Sequence, residues 1–155
     1  MAELRNILGQ NGFHDPQTYI QSGNLVLKSE QNIEDIRTKI VALVNGAFGF
    51  QTEILVVSGS DFAAVVNTCP FSMTDHDPGR VHVFFHLADL PANDIPTDLP
   101  DDPSRLVVTD KALFLHTPDG LSQSKLAELV TRRVGRNTTA RNMKTCQKIM
   151  QMIAQ

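Results

Sequence analysis

The chain has 155 residues, 41% of them hydrophobic and 20% charged, with a formal net charge of −3. That composition excludes a disordered polymer, and no apolar run approaches the ~20 residues of a membrane span. Two cysteines in unrelated contexts, Cys69 and Cys146, argue against a disulfide or zinc framework and for a reducing cytoplasm; Met1–Arg5 has no apolar stretch behind it that would read as a signal peptide.

In chain order, Leu4, Ile7 and Leu8 at i, i+3 and i+4 predict a helix over residues 2–10, closed by Gly12. Thr18–Ser29 reads as a hairpin turning at Ser22-Gly23-Asn24. Ile33, Ile36, Ile40, Leu43, Val44 and Ala47 form the apolar stripe of a helix over about 33–48, with Asn32 as its cap and Glu34 and Asp35 at the positive end of its dipole. Thr52–Val57 is dense in β-branched residues and predicts a strand. Ser60 is placed to cap a short helix through Asn67, which Pro70 ends. Val81–Leu87 reads as a strand, with Val81, Val83, Phe85 and Leu87 on one face and His82, Phe84 and His86 on the other.

Residues 88–104 carry four prolines and five aspartates and no periodicity, so an extended acidic loop is expected. Leu106–Val108 and Ala112–His116 predict a second hairpin around Asp110-Lys111. A helix is expected over Ser122–Val134 and stopped by Gly135. Thr138 and Thr139 lead into a last helix whose inner stripe is Met143, Cys146, Ile149, Met150 and Ile153.

Charge is unevenly distributed. Residues 1–120 hold 7 Lys/Arg against 16 Asp/Glu, whereas 121–155 hold 7 Lys/Arg against Glu128 alone. Such asymmetry points to an anionic partner, or to attraction between the two parts within the fold.

Four stretches, in order, carry a resemblance: Tyr19-Ile20-Gln21-Ser22-Gly23-Asn24-Leu25-Val26, Pro70-Phe71, Ser124-Lys125-Leu126, and Thr139-Ala140-Arg141-Asn142-Met143-Lys144-Thr145. Together they resemble the bacterial domain of unknown function 1697 family across essentially the whole chain, with Met143 where the family often has an aromatic residue. The resemblance implies an α+β protein of two ferredoxin-like α/β units side by side, here 1–57 and 58–155, and no established activity or cofactor. It also implies an opening strand and a glycine-rich loop ahead of the first helix. By the strand–helix–strand–strand–helix–strand template, residues 1–57 hold everything except that first, central strand. Its loss would leave backbone groups of two neighbouring strands unpaired. Two expectations follow: an internal or misassigned start at Met1, or a partner chain that fills the gap.

Candidate sites were weighed against plainer roles. Tyr19, Gln21, Ser22 and Asn24 at the glycine turn, with Lys125, Arg141 and Asn142, are candidates for a small-anion pocket at the junction of the two units, Arg141 acting as clamp. The competing reading is a tight hairpin and a helix cap. Lys125, Arg132, Arg136, Arg141, Lys144 and Lys148 are candidates for weak nucleic-acid or polyanion binding. No Phe, Tyr or Trp accompanies them to stack on bases, and solvated helix faces are the commoner role. Ser122-Gln123-Ser124-Lys125 satisfies Ser-x-x-Lys, but a serine after Pro-Asp-Gly is more often an N-cap. His82 and His86 would stand about 13 Å apart, too far for one metal ion, and Asp75-His76-Asp77 reads as a solvated loop; neither a metal nor a cofactor is expected. Cys146 reads as a buried small hydrophobe. The leading expectation is thus a cytoplasmic binding module. The alternatives are an enzyme acting on a phosphorylated or nucleotide-like substrate, and an interaction subunit that completes its sheet with another chain.

Overall fold

The computed structural model describes residues 1–20, 23–86 and 94–155, the side chain of Asn137 excepted. The described residues form α1 (Ala2–Gln10), β1 (His14–Tyr19), β2 (Asn24–Lys28), α2 (Ile33–Phe48), α3 (Gly59–Asn67), β3 (Val81–His86), β4 (Arg105–Val108), β5 (Ala112–His116), α4 (Lys125–Val134), β6 (Thr138–Asn142) and α5 (Met143–Ile153). The chain is a mixed α+β protein with two antiparallel sheets, divided into two compact units: residues 1–61 with 148–155, and residues 62–147.

Unit 1 is built around α1, the β1–β2 hairpin and α2. Leu8, Phe13, Ile36, Ile40 and Val44 are its buried cluster, edged by Leu25, Leu27, Ile54 and Val56. The helical spacing of Ile36, Ile40 and Val44 puts all three on one face of α2. Asn32 caps that helix by accepting from the Asp35 amide at 2.9 Å. Gly49 ends it in the left-handed conformation at φ 72°, its amide bonded to the Asn45 carbonyl, a conformation that costs glycine little. The final turn of α5 also belongs here: a Cβ on Gly59 would stand 2.9 Å from Cγ2 of Ile153.

Unit 2 carries a four-stranded sheet in the order β4-β5-β3-β6, every pair antiparallel. β3 lies between β5 and β6, with Val83 opposite Phe114 on one side and Arg141 on the other. The period-2 alternation of strands sends Phe84, Leu113 and Leu115 to one face, where they pack with Leu126, Ala127, Val130 and Val134 of α4. On the opposite face Phe85 stacks on Phe62, ring centroids 5.3 Å apart.

Several expectations need correction. Thr138–Asn142 is a strand rather than the approach to a helix, because β3 offers it a full ladder; Arg141 therefore stands on β6 and not on the last helix. The helix expected from Ser122 begins at Lys125, residues 121–123 forming a separate tight turn. Ser58 rather than Ser60 receives the Asp61 amide at the start of α3. Thr52–Val57, with strand composition, joins neither sheet: β-branched residues favour an extended chain, but a ladder needs a neighbour. Gln21, Ser22 and the part of the acidic loop at 87–93 lie outside the described residues.

Candidate functional site

The proposed anion-pocket residues fall in separate units, Tyr19 and Asn24 in unit 1, Lys125, Arg141 and Asn142 in unit 2. In the hairpin, Tyr19 and Asn24 are the last ladder pair, and Asn24, 6% exposed, donates from Nδ2 to the Tyr19 carbonyl at 3.1 Å. Its amide closes the turn. In unit 2 Arg141 is half-buried on β6, donating from Nη1 to Thr139 Oγ1 at 3.1 Å and to the Ala140 carbonyl at 2.7 Å. Burial pushes its guanidinium pKa down. Asn142 accepts from the Thr145 amide at 2.9 Å, so it caps α5.

The Ser-x-x-Lys stretch has a structural part. Ser124 is the N-cap of α4: its Oγ accepts from the Ala127 amide at 2.9 Å and donates to Asp102 Oδ2 at 3.0 Å. Asp102 also accepts from the Leu126 amide at 3.0 Å and, through Oδ1, from the Ser104 amide at 2.7 Å, while Ser104 Oγ donates to Ser124 Oγ at 2.8 Å. These bonds, first those from Ser104 and Leu126, hold the Asp102 carboxyl well below the usual carboxylate range. A carboxylate aimed at the exposed amides of a helix start is stabilised by the dipole as well. The cluster ties the end of the acidic loop to α4. Asp102 was missed in the sequence, where it is one of five aspartates in a stretch without periodicity. Its only signal is the Asp-x-Ser spacing of an Asx turn.

The sulfur and imidazole groups offer no metal centre: among the described residues no three His, Cys, Asp or Glu side chains come together as ligands. Cys146 is fully buried, and burial pushes its thiol up to about 12, the state of an inert hydrophobe rather than a nucleophile.

The cations are differently placed. Lys125, Arg132, Arg133, Arg136, Lys144 and Lys148 are all exposed. Among the described residues the ion pair found is Arg37–Glu34, within α2. Lys125 and Arg132, seven residues apart, share one outer face of α4, and Lys144 and Lys148 lie one turn apart on α5.

One stretch of unit 1 stands outside both sheets. Residues 51–57 make no backbone–backbone hydrogen bond among the described residues. Thr52 Oγ1 donates to the Glu53 carbonyl, a bond within the segment. Ile54 and Val56, two apart as on a strand face, lean on the unit 1 core beside Leu25 and Leu27 of β2, yet all four are only half-buried. Here extended backbone and apolar side chains both stop short of a partner.

A family model described as Protein of unknown function (DUF1697) matches residues 1–114. No characterised protein matches the chain significantly. Among solved structures, a conserved bacterial protein from Streptococcus pneumoniae is similar at 26% identity and a TM-score of 0.78, over 99% of this chain and 88% of that one. No helix among the described residues is long and apolar enough to cross a membrane.

Proposed function

The chain belongs to the DUF1697 family of unknown function, which hands down no activity, and we propose from its own geometry that it is an interaction module: unit 1 is a ferredoxin-like unit open where its first strand belongs, and it takes a β-strand there from another chain. One observation carries this reading, the comparison of unit 1 with unit 2. In unit 2 the order β4-β5-β3-β6 sets the strand that comes first in sequence between the third and the fourth, an arrangement that supports a ferredoxin-like reading. In unit 1 the hairpin β1–β2, α2 and residues 51–57 follow in that order, which suits the second, third and fourth strand positions of such a unit. What β3 does in unit 2, bonding on both edges, no described residue does in unit 1. The incoming strand would bond to β2 and to 51–57, and its inner side chains would finish covering Leu25, Leu27, Ile54 and Val56.

The test follows the chain recovered from cells without denaturant, beside the same chain purified alone. Light scattering reads its mass and hydrogen exchange reads residues 51–57. Protection of 51–57 is expected only in a complex, with a second copy or another protein, and Ile54→Lys is expected to abolish both complex and protection. A lone monomer whose 51–57 amides are as protected as those of β3 would overturn the proposal, and so would a complex that leaves them unprotected.

A second reading is favoured by the exposed cations Lys125, Arg132, Arg133, Arg136, Lys144 and Lys148: weak polyanion binding, with α4 as the contact face. If about four phosphates are neutralised, affinity for duplex DNA is expected to fall about a hundredfold between 50 and 200 mM salt. Replacing Lys125, Arg132 and Arg136 with Glu should remove that binding. Retention of affinity by the triple variant, or an affinity indifferent to salt, rejects this face. A cytoplasmic location suits both readings and the two free cysteines.

A further inference from the structure

Between α3 and β3 the chain makes a loop whose middle is held by three aromatic rings. Phe71, 8% exposed, has the His76 ring 5.5 Å away and the His116 ring 5.6 Å away. The two imidazoles meet edge to face at 4.5 Å between centroids and 85° between planes. His116 belongs to β5 and Phe71 is buried at the loop's root, so both are platform. His76 stands on the loop itself, its Nδ1 at 3.0 Å from the Ser72 carbonyl. The downstream end of the loop is fastened separately: the Lys144 amide donates to the Pro78 carbonyl at 3.2 Å, and the Thr117 amide to the Arg80 carbonyl at 2.9 Å.

We propose that the His76–His116 contact is a pH latch: while His116 is uncharged, the two rings hold residues 72–77 on the Phe71–His116 platform, and protonation of His116 lifts the loop away. The charges around the pair decide the direction. Arg105 of β4 stands opposite His116 in the ladder, and Arg80 precedes the β3 residue Val81 that faces it on the other side. Lys144 lies at the start of α5, where its amide meets the loop. On the loop, Asp75 and Asp77 are engaged elsewhere, with Thr74 Oγ1 at 3.3 Å and the Gly79 amide at 2.8 Å. No carboxylate forms an ion pair with either imidazole among the described residues. A proton on His116 is therefore opposed by the like charge of the arginines beside it.

Burial first, then His76 and Arg105, push the pKa of His116 down. The sign follows. In the latched state His116 favours its neutral form, and once His76 leaves it returns toward the ordinary value of about 6.5. Between those two values the open loop binds more protons, so each step of acidification in that window favours opening. Above about 6.5 the latch is closed at full strength.

Hydrogen exchange at the Asp75 and His76 amides, both bonded to the Ser72 carbonyl, tests this from pH 7.5 to 5 after correction for the intrinsic rate. Protection is expected to fall progressively as the pH drops below about 6.5, while β3 and β5 amides hold. His116→Phe keeps a ring and loses the titrating group, so its loop should stay protected throughout; His76→Phe keeps the burial of His116 and should retain part of the step. Proton NMR of the native chain supplies a second reading in which no variant has to fold: the His116 resonance should titrate below free histidine. A loop whose protection ignores pH, a step that survives in His116→Phe, or a His116 midpoint at the free value each overturns the latch.

Discussion

In the lone monomer, amides of residues 51–57 are expected to exchange on the order of a thousandfold or more faster than those of β3. The contrast is sharp because both stretches carry β-branched residues, so composition does not separate them. β3 has a neighbour on each edge, and its successive amides bond alternately to β5 and β6; releasing them requires opening the centre of the sheet. Residues 51–57 have no ladder on either edge among the described residues, and their amides exchange through fluctuations that cost little. Mass spectrometry of peptides covering 51–57 and 81–86 in one sample reads both rates under identical conditions. Similar protection in the two peptides would mean that unit 1 holds a closed sheet.

Phe114→Ala should destabilise the protein by about 3–5 kcal/mol, lowering the melting temperature by about 10 °C or more. Phe114 is fully buried at the middle of β5, opposite Val83 of β3 and Val107 of β4. A ladder on both edges prevents the strand from collapsing into the space left by the ring, so the loss of transfer free energy is joined by the cost of a cavity. The corresponding change in unit 1, at a half-buried residue such as Ile54, removes less area from an already incomplete core. Urea unfolding with unchanged slope checks the value; a loss under 1 kcal/mol would mean the sheet centre is less tightly packed than its burial implies.

Helices were legible wherever one face repeats at helical spacing and an end carries a cap. Ile36, Ile40 and Val44 with Asn32 and Gly49 placed α2 correctly from sequence, as did the alternation of Val81–His86 for β3. Legibility failed where a residue's state depends on a distant neighbour. Thr138–Asn142 looks like a helix approach until β3 is beside it, and Thr52–Val57 looks like a strand until no neighbour is found. Of the candidate sites, Asn24 and Asn142 were readable as turn and cap residues because their partners lie within five residues. Asp102, twenty-two and more residues from Ser124 and Leu126, was not. The histidine pair was hidden for the same reason: forty residues of chain separate His76 from His116, and strand spacing drew attention to His82 and His86 instead.

The assignment of residues 148–155 to unit 1 has a consequence for the order of folding. Unit 2 is one continuous stretch of chain, and unit 1 is its two flanks, joined where the end of α5 meets Gly59. As the polypeptide leaves the ribosome, the four strands and α4 of unit 2 are all available while α5 is still being made. Unit 1 is complete only when the final turn of that helix joins it. The long loop it closes is entropically costly and slow, and until it closes α1, the hairpin and α2 are a nascent cluster dependent on whatever else shields their apolar faces.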